Sequence, residues 1–200
     1  MQLEVKNLGF RYDRRQDWCM RDVHLSISSG EMVGLRGPSG AGKSTLARLL
    51  AGYLEPDEGV VLLDGTPLSL YTGYAPVQLV LQHPESAINP RWHMHKVLQE
   101  AGVYDRELLH SLGIEEAWLA RRPGELSGGE LQRFCVARAL GAGTKFLIAD
   151  EMTTMLDAVT QAQIWNVVKE MAVERELGIL VISHEGSLLS QLCSRIIEWE

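Results

Sequence analysis

Cysteine is scarce in this chain, basic charge is in deficit, and no apolar run is long enough to cross a bilayer. The three cysteines, Cys19, Cys135 and Cys193, are scattered. They form no CxxC pair and show no metal-ligand spacing, which argues for reduced thiols and against a disulfide or zinc framework. Lysine and arginine number 19 against 26 aspartates and glutamates, a formal net charge of −7. A general nucleic-acid binder needs a basic face, so that class is disfavoured. Crossing a bilayer takes about 20 consecutive apolar residues. The longest runs here, such as Gly178–Ile182, have the length of buried strands. Glu4, Lys6 and Arg11 interrupt any apolar core at the N-terminus, so no signal peptide is expected. The chain is expected to be soluble, with any membrane role exercised through a partner.

What is present is globular: 200 residues, 46% hydrophobic and 22% charged, a size suited to one domain spanning residues 1–200. No repeat or low-complexity tract is visible. The opening LEVKNLGFRY alternates like an edge strand, and Val23–Ile27 alternates again before a turn at Ser28, Ser29 and Gly30. Met32–Arg36 is a short apolar strand running into glycines, followed by a helix from Lys43 to about Tyr53. Val60–Leu63 is a strand, and Asp64-Gly65 a turn. Gln78–Leu81 is a strand with Gln82 at its end. Residues from about 84 to 140 look helical and more polar, an inserted helical subdomain. Lys145–Ala149 and Ile179–Ser183 are continuous apolar strands, with an amphipathic helix, Ala158–Arg175, between them. This alternation predicts an α/β fold: a mostly parallel sheet with helices on both faces and antiparallel strands at the N-terminus.

The run Gly37-Pro38-Ser39-Gly40-Ala41-Gly42-Lys43-Ser44-Thr45 fits the phosphate-loop pattern GxxxxGK[ST], with a strand before it and a helix after. The residue types suit an anion. Gly40 and Gly42 let the backbone curl without a Cβ in the way. The freed N–H groups and the helix N-terminus aim at phosphate. Lys43 adds a point charge on the β- and γ-phosphates, and Ser44 offers a hydroxyl to Mg²⁺. The pattern alone leaves ATPase, GTPase and kinase open.

A second apolar strand ends in Asp150-Glu151. Ligands of open α/β sheets bind at the carboxyl ends of strands. Asp150 is therefore a candidate Mg²⁺ ligand, directly or through water. Glu151 is a candidate to orient or deprotonate an attacking water. Between the two motifs lies Leu126-Ser127-Gly128-Gly129-Glu130-Leu131-Gln132-Arg133. Ser127 with Glu130 three residues on is a capping box, and the glycines expose N–H groups at a helix start. That is one anion site too many for one nucleotide. A head-to-tail dimer, each Ser127 turn closing on its partner's nucleotide, resolves the excess.

With these stretches in view, the chain resembles the ATP-binding-cassette ATPases over essentially its whole length. LSGGELQR resembles their signature motif, Gly37–Thr45 their Walker A and Phe146–Glu151 their Walker B. The resemblance implies a P-loop NTPase fold that hydrolyses ATP with Mg²⁺. It further implies roles for Gln82 (the Q-loop residue, touching Mg²⁺ and water), Asp157 (the D-loop), His184 (the switch histidine at the γ-phosphate) and Tyr12 (stacking on adenine). Phe10 is a rival for the adenine. Met152 stands where the family usually has proline, and Thr153-Thr154-Met155 replaces a more usual TSA. Within the family, LVLQHPESAINPR, SGGELQRFCVARAL and LDAVTQAQIW resemble the oligopeptide, dipeptide and nickel importer group. The short interval from Lys43 to Gln82 leans toward nickel or metal-chelate importers. That group implies a second cassette, transmembrane permease subunits, an extracytoplasmic binding protein acting indirectly, and a peripheral place on the cytoplasmic face of the inner membrane. The usual C-terminal family extension, beyond Trp199-Glu200, is expected to be absent. The competing class is a cassette ATPase of DNA repair or chromosome maintenance, which would normally carry a long coiled coil that residues 84–140 do not supply.

Overall fold

The computed structural model describes residues 1–15 and 17–199. Its strands form two sheets. The first is antiparallel, in the order β2 (Met20–Ser28), β1 (Gln2–Phe10), β4 (Glu58–Leu63), β5 (Thr66–Pro67). The second is parallel, in the order β6 (Val77–Val80), β7 (Phe146–Asp150), β8 (Gly178–Ile182), β3 (Met32–Arg36), β9 (Arg195–Glu198). The expected α/β architecture, mostly parallel with N-terminal antiparallel strands, is therefore the one observed.

β1 corrects one expectation. It is a central strand, paired on both sides, and not an edge. Its sequence also carries a phase slip: Leu3 and Val5 alternate, then Leu8 and Phe10 resume one residue out of step. All four are buried. A register shift between Val5 and Leu8 absorbs the extra residue, with Asn7 in the left-handed region at φ 50°. On β4, Gly59 fits against the backbone oxygens of Lys6 and Asn7, where a Cβ would lie only 2.3 Å from the Lys6 oxygen. Asp64 and Gly65, both at positive φ, make the tight turn into β5.

Strands β7 and β8 are buried on both faces, which is why they read as unbroken apolar runs. Period-two alternation sorts them. Phe146 and Ile148 of β7, with Leu180 and Ile182 of β8, join the core beneath α1 (Lys43–Leu50) and the antiparallel sheet. Leu147, Ala149, Ile179 and Val181 face the opposite core. That second core holds α2 (Met94–Glu100), α3 (Arg106–Ser111), α4 (Gly128–Ala139), α5 (Ala158–Arg175) and α6 (Gly186–Leu192). Residues 84–140 are thus short helices and 3₁₀ turns sharing one continuous core with the sheet. α1 stops at Leu50, short of the expected Tyr53, as Gly52 turns left-handed at φ 73°. Strand β3 and α5 match the expected bounds, and the remaining predicted strands lie within three residues at each end. No helix among the described residues is long and apolar enough to cross a membrane.

Candidate active site

Strand order places the chemistry. The carboxyl ends of β6, β7, β8 and β3 lie side by side. In that spatial order they present Gln82, Asp150-Glu151, Ser183-His184, and the Gly37–Gly42 loop. Segments far apart in sequence converge on one sheet edge, where ligands of open α/β sheets bind.

The loop after β3 has the expected backbone. Gly40 and Gly42 sit at φ 83° and 90°, values that disfavour a side chain. A Cβ on Gly40 would meet nothing within 4 Å, so the concavity above the loop is open to a ligand. Pro38 and Ser39 are exposed, and Ala41 is half-buried. Lys43 is buried, its Nζ donating to the carbonyls of Gly37 and Pro38 at 2.7 Å each. Thr45 is buried at the start of α1.

Asp150 follows from the alternation of β7. It shares the face of Phe146 and Ile148, which is the α1 side, and so meets Ser44 at the first turn of α1. Burial pushes its carboxyl above the ordinary value of 3.8, and the neighbouring Glu151 adds to the rise. The Ser44 hydroxyl, Arg48 and Lys43 pull the other way. A buried carboxylate beside a hydroxyl is a hard-oxygen donor pair that suits Mg²⁺. No group of three or more His, Cys, Asp or Glu among the described residues is placed to hold a metal alone. The Asp150–Ser44 pair offers two oxygen ligands, leaving the rest of a hard cation's coordination to phosphate and water.

Glu151 leaves the strand in the left-handed region at φ 49°, its N–H donating to the Ile182 carbonyl at 3.0 Å. That turn brings its Oε1 to 3.4 Å from His184 Nδ1. His184 is more exposed than Glu151. Gln82 is half-buried just past β6. Tyr12 lies above α1, its hydroxyl sharing a 2.8 Å hydrogen bond with Thr45 Oγ1. It stands edge-on to Phe10, with ring centres 5.0 Å apart. Tyr12 is 60% exposed whereas Phe10 is 7% exposed, so only Tyr12 offers a free face.

The signature stretch is formed as its spacing predicts but stands apart. Ser127 caps α4, its Oγ accepting from Glu130 N, while Glu130 Oε2 accepts from Ser127 N at 2.6 Å. Those bonds hold the Glu130 carboxyl below its ordinary value. Ser127 and Gly128 are exposed. No hydrogen bond among the described residues joins Ser127–Glu130 to the phosphate loop, Asp150, Glu151 or His184. Asp157 caps α5, its Oδ1 accepting from Val159 N and Thr160 N at 3.0 Å. Gly129 faces Leu156, two residues past Thr154, so signature and D-loop are neighbours.

Sequence reasoning missed two residues here. Gln132 is 2% exposed, and its Nε2 donates to the carbonyls of Leu81 (3.1 Å) and Met152 (2.7 Å). One amide of α4 thus grips the backbone beside Gln82 and beside Glu151. A glutamine in the second turn of a helix carries no such signal by itself. The other is Trp199, whose indole N–H donates to Ala41 in the phosphate loop. Strand β9, which precedes it, is too short and polar to stand out.

Fold and site together define a P-loop nucleotide-binding protein built on a parallel sheet with an antiparallel flank. The family model described as ABC transporter matches residues 20–154. The nickel import system ATP-binding protein NikE of Staphylococcus aureus (strain bovine RF122 / ET3-1) is 35% identical, over 98% of this chain and 85% of its own. A dimeric structure of MJ0796, a bacterial ABC transporter cassette, superposes with a TM-score of 0.84 at 25% identity, covering 98% of this chain and 94% of that one. The fold is also that of cbiO1 from Clostridium perfringens, part of the ABC transporter complex cbiONQ, with a TM-score of 0.79, 24% identity, and 99% and 84% coverage. The chain belongs to the ABC transporter family, as one of its ATP-hydrolysing cassettes. The DNA-repair reading falls with that assignment.

Proposed function

We propose that this chain powers an importer of nickel or a nickel chelate, acting as one of two cassettes docked on transmembrane permease subunits at the cytoplasmic face of the membrane. The observation that carries the proposal is its 35% identity to a nickel import ATP-binding protein across 98% of the chain. In this reading an extracytoplasmic binding protein delivers the cargo and touches the cassette only through the permease. The dimeric state of the related cassette MJ0796 supports a pair, and the spare anion site at Ser127–Glu130 supports a head-to-tail one.

Placement supports the following roles. Tyr12 offers its exposed ring to adenine. The N–H groups of Gly37–Ser44 and the Lys43 ammonium hold the β- and γ-phosphates, Lys43 exchanging its present loop carbonyls for phosphate oxygens. Asp150, Ser44 and Gln82 would hold Mg²⁺, which supplies neutralisation of phosphate charge. Ser127, Gly128 and Gly129 of the partner cassette close over the γ-phosphate, with the Asp157 loops alongside. Glu151 orients a water in line with the γ-phosphorus and takes its proton. The water oxygen bonds to the γ-phosphorus as the bond from that phosphorus to the β–γ bridging oxygen breaks, releasing ADP and phosphate, and His184, beside Glu151, donates to the phosphoryl oxygens that gain charge.

Glu151→Gln is the test of the site. It keeps the shape and removes the base, so ATP should still bind while turnover falls at least a hundredfold, in keeping with the usual size of general-base catalysis. The variant should also elute as an ATP-dependent dimer with its partner cassette present. Turnover near that of the unaltered chain would refute the role of Glu151. For the cargo, a strain lacking the gene should lose uptake of radioactive nickel and keep uptake of dipeptides; the reverse pattern would reassign the importer to peptides.

A further inference from the structure

The phosphate loop is held from behind by a residue outside every motif discussed above. Trp199 follows β9. Its backbone N–H donates to the Arg36 carbonyl at 2.6 Å, extending the β3–β9 ladder to the last residue before the loop. Its own carbonyl lies against Gly37, where a Cβ would approach to 2.3 Å, so glycine is required there for packing as well as for phosphate. Its indole Nε1–H donates to the Ala41 carbonyl at 2.6 Å.

That last bond has a directional consequence. A trans peptide points its C=O and N–H in opposite senses. Fixing the Ala41 carbonyl toward the indole therefore fixes the Gly42 N–H in the opposite sense, away from the indole. Gly42, at φ 90°, has no side chain to resist rotation of that peptide, and glycine backbones are the freest to move. We propose that Trp199 is a positioning residue for ATP binding, its indole N–H holding the Ala41–Gly42 peptide in the orientation that offers Gly42 N–H to phosphate. The inference rests on the loop being the phosphate cradle. It gives Trp199 no contact with nucleotide.

The test uses the 200-residue chain. Trp199→Phe keeps an aromatic ring in place and removes only the donor. Its Kd for Mg²⁺-ATP should rise about three- to tenfold, the size of one neutral hydrogen bond. Melting of the nucleotide-free protein should stay within a few degrees. Trp199→His, which restores a ring N–H, should recover part of the affinity. A Trp199→Phe chain that binds Mg²⁺-ATP as tightly as the unaltered one overturns the proposal, as does one whose loss is fully matched by lost folding stability. Should Trp199→Phe fail to fold, the unaltered chain carries the test: the Trp199 indole N–H resonance, assigned by its proximity to Ala41, should exchange slowly with solvent and shift on adding Mg²⁺-ATP. Rapid exchange and no shift refute it. Failure of the unaltered chain to bind nucleotide would instead refute the cradle itself, a separable outcome.

Discussion

Ser127 joins two duties in one hydroxyl. It caps α4 within its own chain, and in the proposed dimer it faces the partner's γ-phosphate. The duties can be separated by substitution. Ser127→Ala removes the cap and should cost about 1 kcal/mol of stability. Ser127→Thr keeps a capping hydroxyl and should return the melting temperature to near its original value. The added methyl group stands where the partner's nucleotide must approach, so ATPase activity with the partner cassette should remain depressed in both variants. Recovery of turnover in step with melting temperature would reduce Ser127 to a cap. At this scale the sequence was informative wherever a local rule applied. The capping box, the left-handed glycines and the position of Asp150 all depend on neighbours within four residues. Gln132 and Trp199 escaped because their partners lie 20 to 158 residues away.

The strands β7 and β8 show what an element demands of its neighbour. Gly178 pairs with Phe146 in register. A Cβ there would sit 2.3 Å from the Phe146 ring and 2.8 Å from the Ser28 carbonyl. Phe146 is fully buried and has no room to retreat. Gly178→Ala should therefore destabilise the chain by about 1–3 kcal/mol through overpacking, seen as a lower urea midpoint with unchanged slope. An unchanged midpoint would mean the Phe146 ring repacks freely. The apolar runs announced these strands, and the caps announced α5. Whether a strand is central or marginal is another matter: it depends on which distant segments pair with it. That is why β1 alternates like an edge and lies in the middle, and why β9 was not foreseen.

Across the whole molecule, two ion pairs among the described residues tie β9 to the first third of the chain, Arg36 with Glu198 and Arg195 with Glu31. Arg195, which opens β9, donates from Nε to Glu31 Oε1 at 2.6 Å and from its terminal nitrogen to the Ser26 carbonyl. The Arg195 hydrogen bond is the main cause that holds the Glu31 carboxyl below its ordinary value of 4.5, with the Ser28 N–H helping and burial opposing. A depressed carboxyl stabilises the fold above its unfolded value and loses that contribution as pH falls through the folded one. Glu31→Gln should thus lower the melting temperature at neutral pH, and the gap from the unaltered chain should narrow as pH falls below the ordinary value of 4.5. A gap that persists in acid would assign the loss to packing.

Glu151 leaves β7 with a backbone twist that non-glycine residues adopt at a cost, and its N–H is pinned to the rim of β8. The carboxylate's aim toward His184 is thus borrowed from the seam between the two strands. Loosen that seam by the width of one hydrogen bond and the residue is free to relax to an ordinary twist, turning its oxygens away. Under the role proposed for Glu151, the cassette would then fall silent while still folded, its competence more fragile than its shape.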